Sequence, residues 1–164
     1  MKVVELHTPR KVYIGKSKIH GNGVFAKKNL KKGEIIFVLK GRIKDWKVKD
    51  LKTSLAGPNW IGIKHGTWID PRYPFDLLNH SCQPNMGIRG KLLFVALRDI
   101  RKGDELNFDY STTEDDLIWR MKCSCGAKNC RKIIHSVQSL PKDTFSKYLP
   151  YVPTYFQKVY NTAT

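Results

Sequence analysis

Apolar residues fall in short alternating runs along this chain, interrupted by glycine or lysine-rich turns. Val12-Tyr13-Ile14 and Val24-Phe25-Ala26 flank a polar stretch over residues 15–23. A basic turn over residues 27–33 leads into Ile35-Ile36-Phe37-Val38-Leu39, a strongly β-prone run that ends at Gly41. Trp60-Ile61-Gly62-Ile63 and Thr67-Trp68-Ile69-Asp70 pair as a hairpin across Lys64-His65-Gly66. Met86-Gly87-Ile88 pairs with residues 91–97 across Arg89-Gly90. Residues 105–110 read as a further strand, with Leu106, Phe108 and Tyr110 on one face.

Helical spacing is scarcer. Trp46, Val48, Leu51 and Leu55 predict a modest amphipathic helix over residues 44–55. Thr112 or Thr113 is placed to cap a short helix through Glu114-Asp115-Asp116 to Trp119, with acids in its first turn. Two helices over residues 142–149 and 154–160 are set off by Pro141, Pro150 and Pro153. Many short strands, few helices and a helical C-terminal cap predict an α+β domain, mostly β.

The composition narrows the class. At 164 residues with 41% hydrophobic residues and four tryptophans, the chain suffices for one domain with a real core. It holds no apolar run long enough to span a bilayer and no signal-peptide pattern at its start, so the expectation is an intracellular protein with no membrane partner. The net charge of +16 is uneven: residues 1–52 hold fifteen Lys/Arg against four Asp/Glu, the remainder fifteen against ten. That basic first third suits a nucleic-acid footprint, a docking face for an acidic partner, or a solvated face.

The densest chemistry lies mid-chain, in Asn79-His80-Ser81-Cys82-Gln83-Pro84-Asn85. So many short polar groups make poor core unless each finds a hydrogen-bond partner. His80 alone reads as readily as a structural histidine as a ligand, while Asn79 offers donor and acceptor to a mixed polar ligand. Cys123, Cys125 and Cys130 form C-x-C-x4-C, and Cys82 in the heptapeptide makes a fourth thiol, enough for a complete tetrahedral zinc shell. Gly21-Asn22-Gly23 is either a tight turn or a place where backbone approaches a ligand closely; it lacks the third glycine and helix of a dinucleotide fingerprint. The stretch from Gly103 to Tyr110 is either a core strand after a turn or the lining of a narrow aromatic slot.

In order, G-N-G-V-F-A, N-H-S-C-Q-P-N, G-D-E-L-N-F-D-Y and C-x-C-G-x3-C-R resemble the SET-domain family of protein-lysine methyltransferases, with its zinc-binding post-SET segment. The resemblance covers about residues 11–134. The tail is similar to that of small, stand-alone, bacterial-type members. It implies a SET domain over residues 11–120, a post-SET segment over 121–134, and a helical tail over 135–164 packed on the same domain. The implied fold is a set of small curved sheets with a pseudoknot, and the implied cofactor is S-adenosylmethionine. Gly21, Asn22, Gly23, Asn79, His80 and Tyr110 match the cofactor-binding positions, and Tyr110 also matches the catalytic tyrosine. Phe108 matches the Phe/Tyr switch, which implies di- or trimethylation over strict monomethylation. Cys82, Cys123, Cys125 and Cys130 match the ligands of one structural zinc ion, with Lys122, Lys128, Arg131 and Lys132 offsetting the thiolates' charge.

The chain departs from the family pattern in three places. Val38-Leu39 stands where a Glu-Tyr pair is common, Asp76-Leu77-Leu78 where Arg-Phe precedes Asn-His, and Lys132 where a glycine follows the last Cys-Arg. The implied substrate is a histone or another basic, nucleic-acid-associated protein carrying a target lysine. For it, Glu114-Asp115-Asp116 and Asp104-Glu105 would line the peptide groove. The implied compartment is cytoplasm for a bacterial chain and nucleus or chromatin for a eukaryotic one. Two alternatives use the same residues. One is a catalytically weak SET-fold adaptor that contacts DNA or nucleoprotein through the basic first third. The other is an unrelated zinc-binding nucleic-acid protein. The residues leave the oligomeric state open.

Overall fold

A computed structural model describes residues 9–45 and 59–163. Within them the chain forms twelve short strands in four small sheets, and two C-terminal helices. Strands β1 (Val12–Lys16) and β2 (Asn22–Ala26) pair antiparallel and continue into β10 (Glu105–Phe108) and β7 (Asn79–His80). A second sheet orders β3 (Ile35–Val38), β9 (Leu93–Ala96) and β8 (Met86–Arg89). A third orders β4 (Gly41–Asp45), β6 (Thr67–Pro71) and β5 (Ile61–Lys64). Strands β11 (Arg120–Lys122) and β12 (Ile133–His135) form a two-stranded ribbon that brackets the cysteine cluster. No helix among the described residues is long and apolar enough to cross a membrane.

The alternation of the sequence explains the main core. Val24, Leu106 and Phe108 point inward from the first sheet to meet Ile88, Phe94 and Met86 from the second. Phe94 sets its ring edge against Phe108, with centroids 5.3 Å apart. The tail builds its own cluster around Phe145, Phe156 and Tyr160, in which the Phe145 and Tyr160 rings stack at 3.7 Å. Helix α1 is Lys142–Tyr148, and α2, Thr154–Ala163, buries Phe156 and Tyr160 four residues apart on one face. Both tail helices therefore form where the prolines and spacing place them, α2 running three residues further.

Two sequence expectations change. The strand ending in Leu106 and Phe108 stops at Phe108, and Tyr110 opens a 3-10 turn, Tyr110–Thr113. The helix expected over residues 112–119 does not form. Asp109 caps the 3-10 turn by accepting the Ser111 N–H, and Glu114 leaves it in an extended conformation. Glu114 then turns its carboxylate onto the N–H groups of Asp115 and Asp116, a local bond that competes with helix. The helix expected over residues 44–55 lies outside the described residues, except for residues 44 and 45, which belong to β4.

The tail is seated through glycines that let backbones touch. An added Cβ at Gly62 would lie 2.0 Å from the Thr113 carbonyl oxygen and 3.0 Å from the Phe156 ring. Gly87 similarly admits Tyr151, whose carbonyl accepts the Ile88 N–H at 2.7 Å. Because a carbonyl cannot retreat as a flexible side chain does, Gly62→Ala is expected to lower unfolding free energy by about 1–3 kcal/mol. Urea titration checks this; an unchanged midpoint would show that the contact gives way freely.

Candidate active site and cysteine centre

The heptapeptide is buried almost throughout: Asn79, His80, Ser81, Cys82 and Asn85 each expose 9% or less of their surface. Asn79, His80, Cys82 and Asn85 each find partners in distant parts of the chain, while the Ser81 hydroxyl accepts the neighbouring Gln83 N–H. Strand β7 runs parallel to β10, with Asn79 opposite Asn107 and His80 opposite Phe108. Asn85 laces the same two segments together from the far side. Its Nδ2 donates to the Glu105 carbonyl, and its Oδ1 accepts the Asn107 N–H.

Asn79 is aimed at the Gly21-Asn22-Gly23 turn. Its Nδ2 donates to the His20 and Asn22 carbonyls, both at 3.2 Å, and to Glu105 Oε1 at 2.8 Å. Glu105 also accepts from the Ser17 hydroxyl. This carboxylate lies where a Cβ on Gly23 would be, 2.4 Å from it. Gly23 is thus required for the approach of Glu105, whereas Gly21 holds a left-handed turn (φ 51°) with open space beside it. The sequence reading assigned Glu105 to a peptide groove; the structure makes it the brace of Asn79.

His80 joins the turn after β10 to the cysteines. Its Nδ1 accepts the Tyr110 N–H at 3.1 Å, and its Nε2 lies 3.4 Å from Cys82 Sγ. With Nδ1 accepting, the neutral ring carries its proton on Nε2 and donates it to sulfur. Burial holds the ring in that neutral form, pushing its pKa down to about 4. Tyr110 packs its ring on His80 and Phe108, at 5.2 and 4.9 Å, and its hydroxyl donates to the Leu78 carbonyl. Burial, and secondarily the Glu105 charge, raise its pKa far above the ordinary phenol value, so the hydroxyl keeps its proton.

Two clefts meet at Tyr110. The larger, about 470 Å³, is lined by Gly21, Asn22, Asn79 and His80 and reaches Cys123 and Cys125. The smaller, about 190 Å³, is walled by Trp60, Trp68, Trp119 and Phe108, with Glu114 and Arg120 at its side. Of the acids assigned to a groove, only Glu114 lines this aromatic pocket. Asp115 is held instead by His65 and the Tyr155 hydroxyl, and Asp104 lines a separate cavity.

The four cysteine sulfurs all lie within 4.8 Å of one another. A tetrahedral ZnS4 shell with Zn–S near 2.3 Å has edges of about 3.8 Å. Cys82 and Cys123 are 3.8 Å apart, and Cys123 and Cys130 are 3.7 Å apart, far beyond a disulfide's bond length. The residues fit a closed, structural zinc site, with no position left for a reacting ligand. Backbone N–H groups of Cys82 and Arg131 point at Cys125 Sγ and Cys82 Sγ respectively, which suits thiolates.

The residue that composition undervalued is Asp109. It is 1% exposed, yet charged, and Arg131 Nη2 meets its two carboxylate oxygens at 2.6 and 2.7 Å. Arg131 Nε donates to Cys82 Sγ at 3.4 Å, and the Tyr148 hydroxyl, from α1, donates to Asp109 Oδ2 at 3.0 Å. Of the four cations expected to offset the thiolates, Arg131 is the one whose side chain the structure sets against a cysteine sulfur. The arginine directly after the last cysteine was the available signal.

A family model described as the SET domain matches residues 21–111, more than half of the chain. The chain belongs to the SET-domain family. Among curated SET-domain relatives, it is 29% identical over 143 residues to human histone-lysine N-methyltransferase 2B, covering 76% of this chain and 5% of that protein. It is 31% identical over 149 residues to histone-lysine N-methyltransferase TRX1 of Oryza sativa subsp. japonica, covering 79% and 14%. The chain therefore spans only a small part of the length of these relatives. Among solved structures, the methyltransferase domain of human histone-lysine N-methyltransferase SETMAR aligns with a TM-score of 0.58 at 25% identity, covering 74% of this chain and 56% of that one. KRYPTONITE in complex with mCHH DNA, H3(1-15) peptide and SAH aligns at 0.59 and 19% identity, covering 76% and 29%, which establishes the fold. The SET-domain match contains Asp109 but stops short of Arg131 and Tyr148, the two groups that neutralise it.

Removing one member of a buried ion pair strands the other. Arg131→Gln is expected to lower unfolding free energy by about 3–5 kcal/mol, and Arg131→Lys to restore little of it, because an ammonium cannot span a carboxylate and a thiolate as a guanidinium does. Chemical denaturation of both variants checks this; full stability in Arg131→Gln would mean that Tyr148 and the Ser111 N–H together satisfy Asp109.

Proposed function

We propose that the chain is an S-adenosylmethionine-dependent protein-lysine N-methyltransferase acting on a histone or another basic, nucleic-acid-associated protein inside the cell. The observation that carries this reading is the meeting of two chemically unlike clefts at Tyr110. One is lined by the glycine turn, Asn79 and His80 and is of cofactor size; the other is smaller, walled by three tryptophans and Phe108, and suited to an alkyl-ammonium side chain. The histone-lysine methyltransferases among its relatives, and the SAH and H3 peptide bound by KRYPTONITE, support the same assignment.

In this reading Gly21 and Asn22 offer backbone groups to the cofactor, Asn79 and His80 hold the wall opposite, and Gly23 admits the Glu105 brace. When bound, S-adenosylmethionine would supply a sulfonium methyl to an uncharged amine in line, the N–C bond forming as the S–C bond breaks and the thioether leaves. A lysine side chain reaches the uncharged form at neutral pH at a cost of about 4–5 kcal/mol. Desolvation among Trp60, Trp68 and Trp119 reduces that cost by disfavouring the ammonium, and water receives the proton. Tyr110 is not the base: its own proton is held by burial and given to the Leu78 carbonyl. Its part is to fix ring and hydroxyl where the clefts join, a positioning and electrostatic contribution. The cysteine centre would bind one zinc ion through Cys82, Cys123, Cys125 and Cys130, tying the floor of the cofactor cleft to the β11–β12 ribbon.

Incubation with radiolabelled S-adenosylmethionine and core histones or cell-extract protein is expected to label lysine in the presence of the wild type. Tyr110→Phe is expected to lose about a hundredfold or more in kcat, the scale of a lost transition-state hydrogen bond. Cofactor binding without transfer to any protein would favour the adaptor, and tight, salt-sensitive DNA binding without cofactor binding the unrelated nucleic-acid protein.

Phe108 is 2% exposed and walls the smaller pocket beside Tyr110. Without a hydroxyl there, the pocket has room for an amine already carrying methyl groups. Phe108→Tyr is expected to shift the products from di- and trimethyllysine towards monomethyllysine. Mass spectrometry of the product reads this, and an unchanged ratio would remove Phe108 from the role of switch.

A further inference from the structure

The waist between the two clefts is formed by five described residues: Asn59, Asp76, Leu78, Tyr110 and Met121. Only Asp76 among them carries a charge. It sits in the 3-10 turn Phe75–Leu77, directly before the heptapeptide, and is half-buried. Its Oδ1 is covered from solvent and accepts no hydrogen bond among the described residues. The chain's other buried carboxylate near the site, Asp109, is met by an arginine, a tyrosine and a backbone N–H. Asp76 has no such set. A covered carboxylate oxygen without a donor is unfavourable, and its presence at a ligand-lined waist points to a donor that arrives with the ligand.

The proposed reaction says what that donor is. It brings a sulfonium and an alkyl ammonium towards one point, and two cations at contact repel. A carboxylate at the waist offsets that repulsion while the amine is still protonated, and a charge-assisted N–H···O⁻ bond would hold the incoming side chain. We propose that Asp76 is the anionic acceptor for the substrate lysine's ammonium group, a specificity residue that admits an amine still bearing N–H. This rests on the methyltransferase reading. Asp76 acts on entry of the charged side chain. Loss of the amine's proton releases the hold, so the effect falls on binding rather than on the displacement. Asp76 also stands at one of the positions where this chain departs from its family's sequence pattern, so the acceptor is a property of this chain.

The test uses two small probes and the full chain. n-Butylammonium chloride stands for the lysine side chain and S-adenosylhomocysteine for the cofactor, each titrated by calorimetry and by fluorescence of the pocket tryptophans. The wild type is expected to bind n-butylammonium at least fivefold more tightly than n-butanol, which has the same stem without charge. Asp76→Asn is expected to weaken n-butylammonium at least fivefold while leaving S-adenosylhomocysteine within twofold, and to raise the KM for core histones without lowering kcat. Equal binding of the charged and neutral probes by the wild type overturns the proposal, whether or not Asp76→Asn folds. So does a variant that loses S-adenosylhomocysteine but keeps n-butylammonium, which would give the acceptor to the cofactor's own ammonium. A wild type that binds no S-adenosylhomocysteine fails the methyltransferase reading instead, and the amine titration distinguishes the two failures.

Discussion

The carboxylate of Asp109 has to be neutralised in a place where water does not reach it, and most of the site's geometry follows from how that is done. Arg131 meets it from the segment after the cysteines, and Tyr148 from the tail. The same guanidinium touches Cys82, which lies two residues after His80. One buried charge therefore ties together four stretches distant in sequence: the end of β7, the turn after β10, the cysteine segment and α1. Low local dielectric makes this arrangement strong when complete and costly when any member is missing.

Around that centre, the polar side chains divide their work. Asn85 and Asn107 stitch β7 to β10, Glu105 fixes Asn79 over the glycine turn, and His80 passes a hydrogen bond from the Tyr110 backbone towards a thiol. Groups that looked like ligand contacts in the sequence are largely occupied by the protein itself. That is a form of preorganisation: the wall of the larger cleft includes side chains whose rotamers are already held.

Much of this was legible from residues alone. Alternation located β1, β2, the β5–β6 and β8–β9 hairpins and the tail helices, because each buries a regular apolar face. Cysteine spacing grouped Cys123, Cys125 and Cys130, three of the four thiols that the structure brings together. The failures share a cause in hydrogen bonding that spans long sequence separations or acts too locally for periodicity to register. The Glu114 carboxylate bonding its own backbone defeated a helix that its charge and the preceding threonines favour. Glu105 was expected in a peptide groove and Asp109 was given no role, since nothing in a local window shows that Asn79 and Ser17, or Arg131 and Tyr148, will arrive to meet them. The β11–β12 ribbon was invisible because strands of three residues carry no pattern.

Tyr148 reaches back to the carbonyl of Cys82 as well as to Asp109. In time rather than space, that contact sets an order of events. During synthesis the glycine turn and the heptapeptide leave the ribosome long before the residues that complete them. Until residues 123–131 have emerged, His80, Cys82 and Asp109 belong to a surface with an unpaired acid, and α1 then adds the last partner, Tyr148. The cleft is accordingly among the last parts of the molecule to acquire its native form, and its assembly depends on contacts of high sequence separation, the kind that form slowly. A growing chain would have its sheets before it has a place to bind anything, which keeps an incomplete site from trapping a ligand.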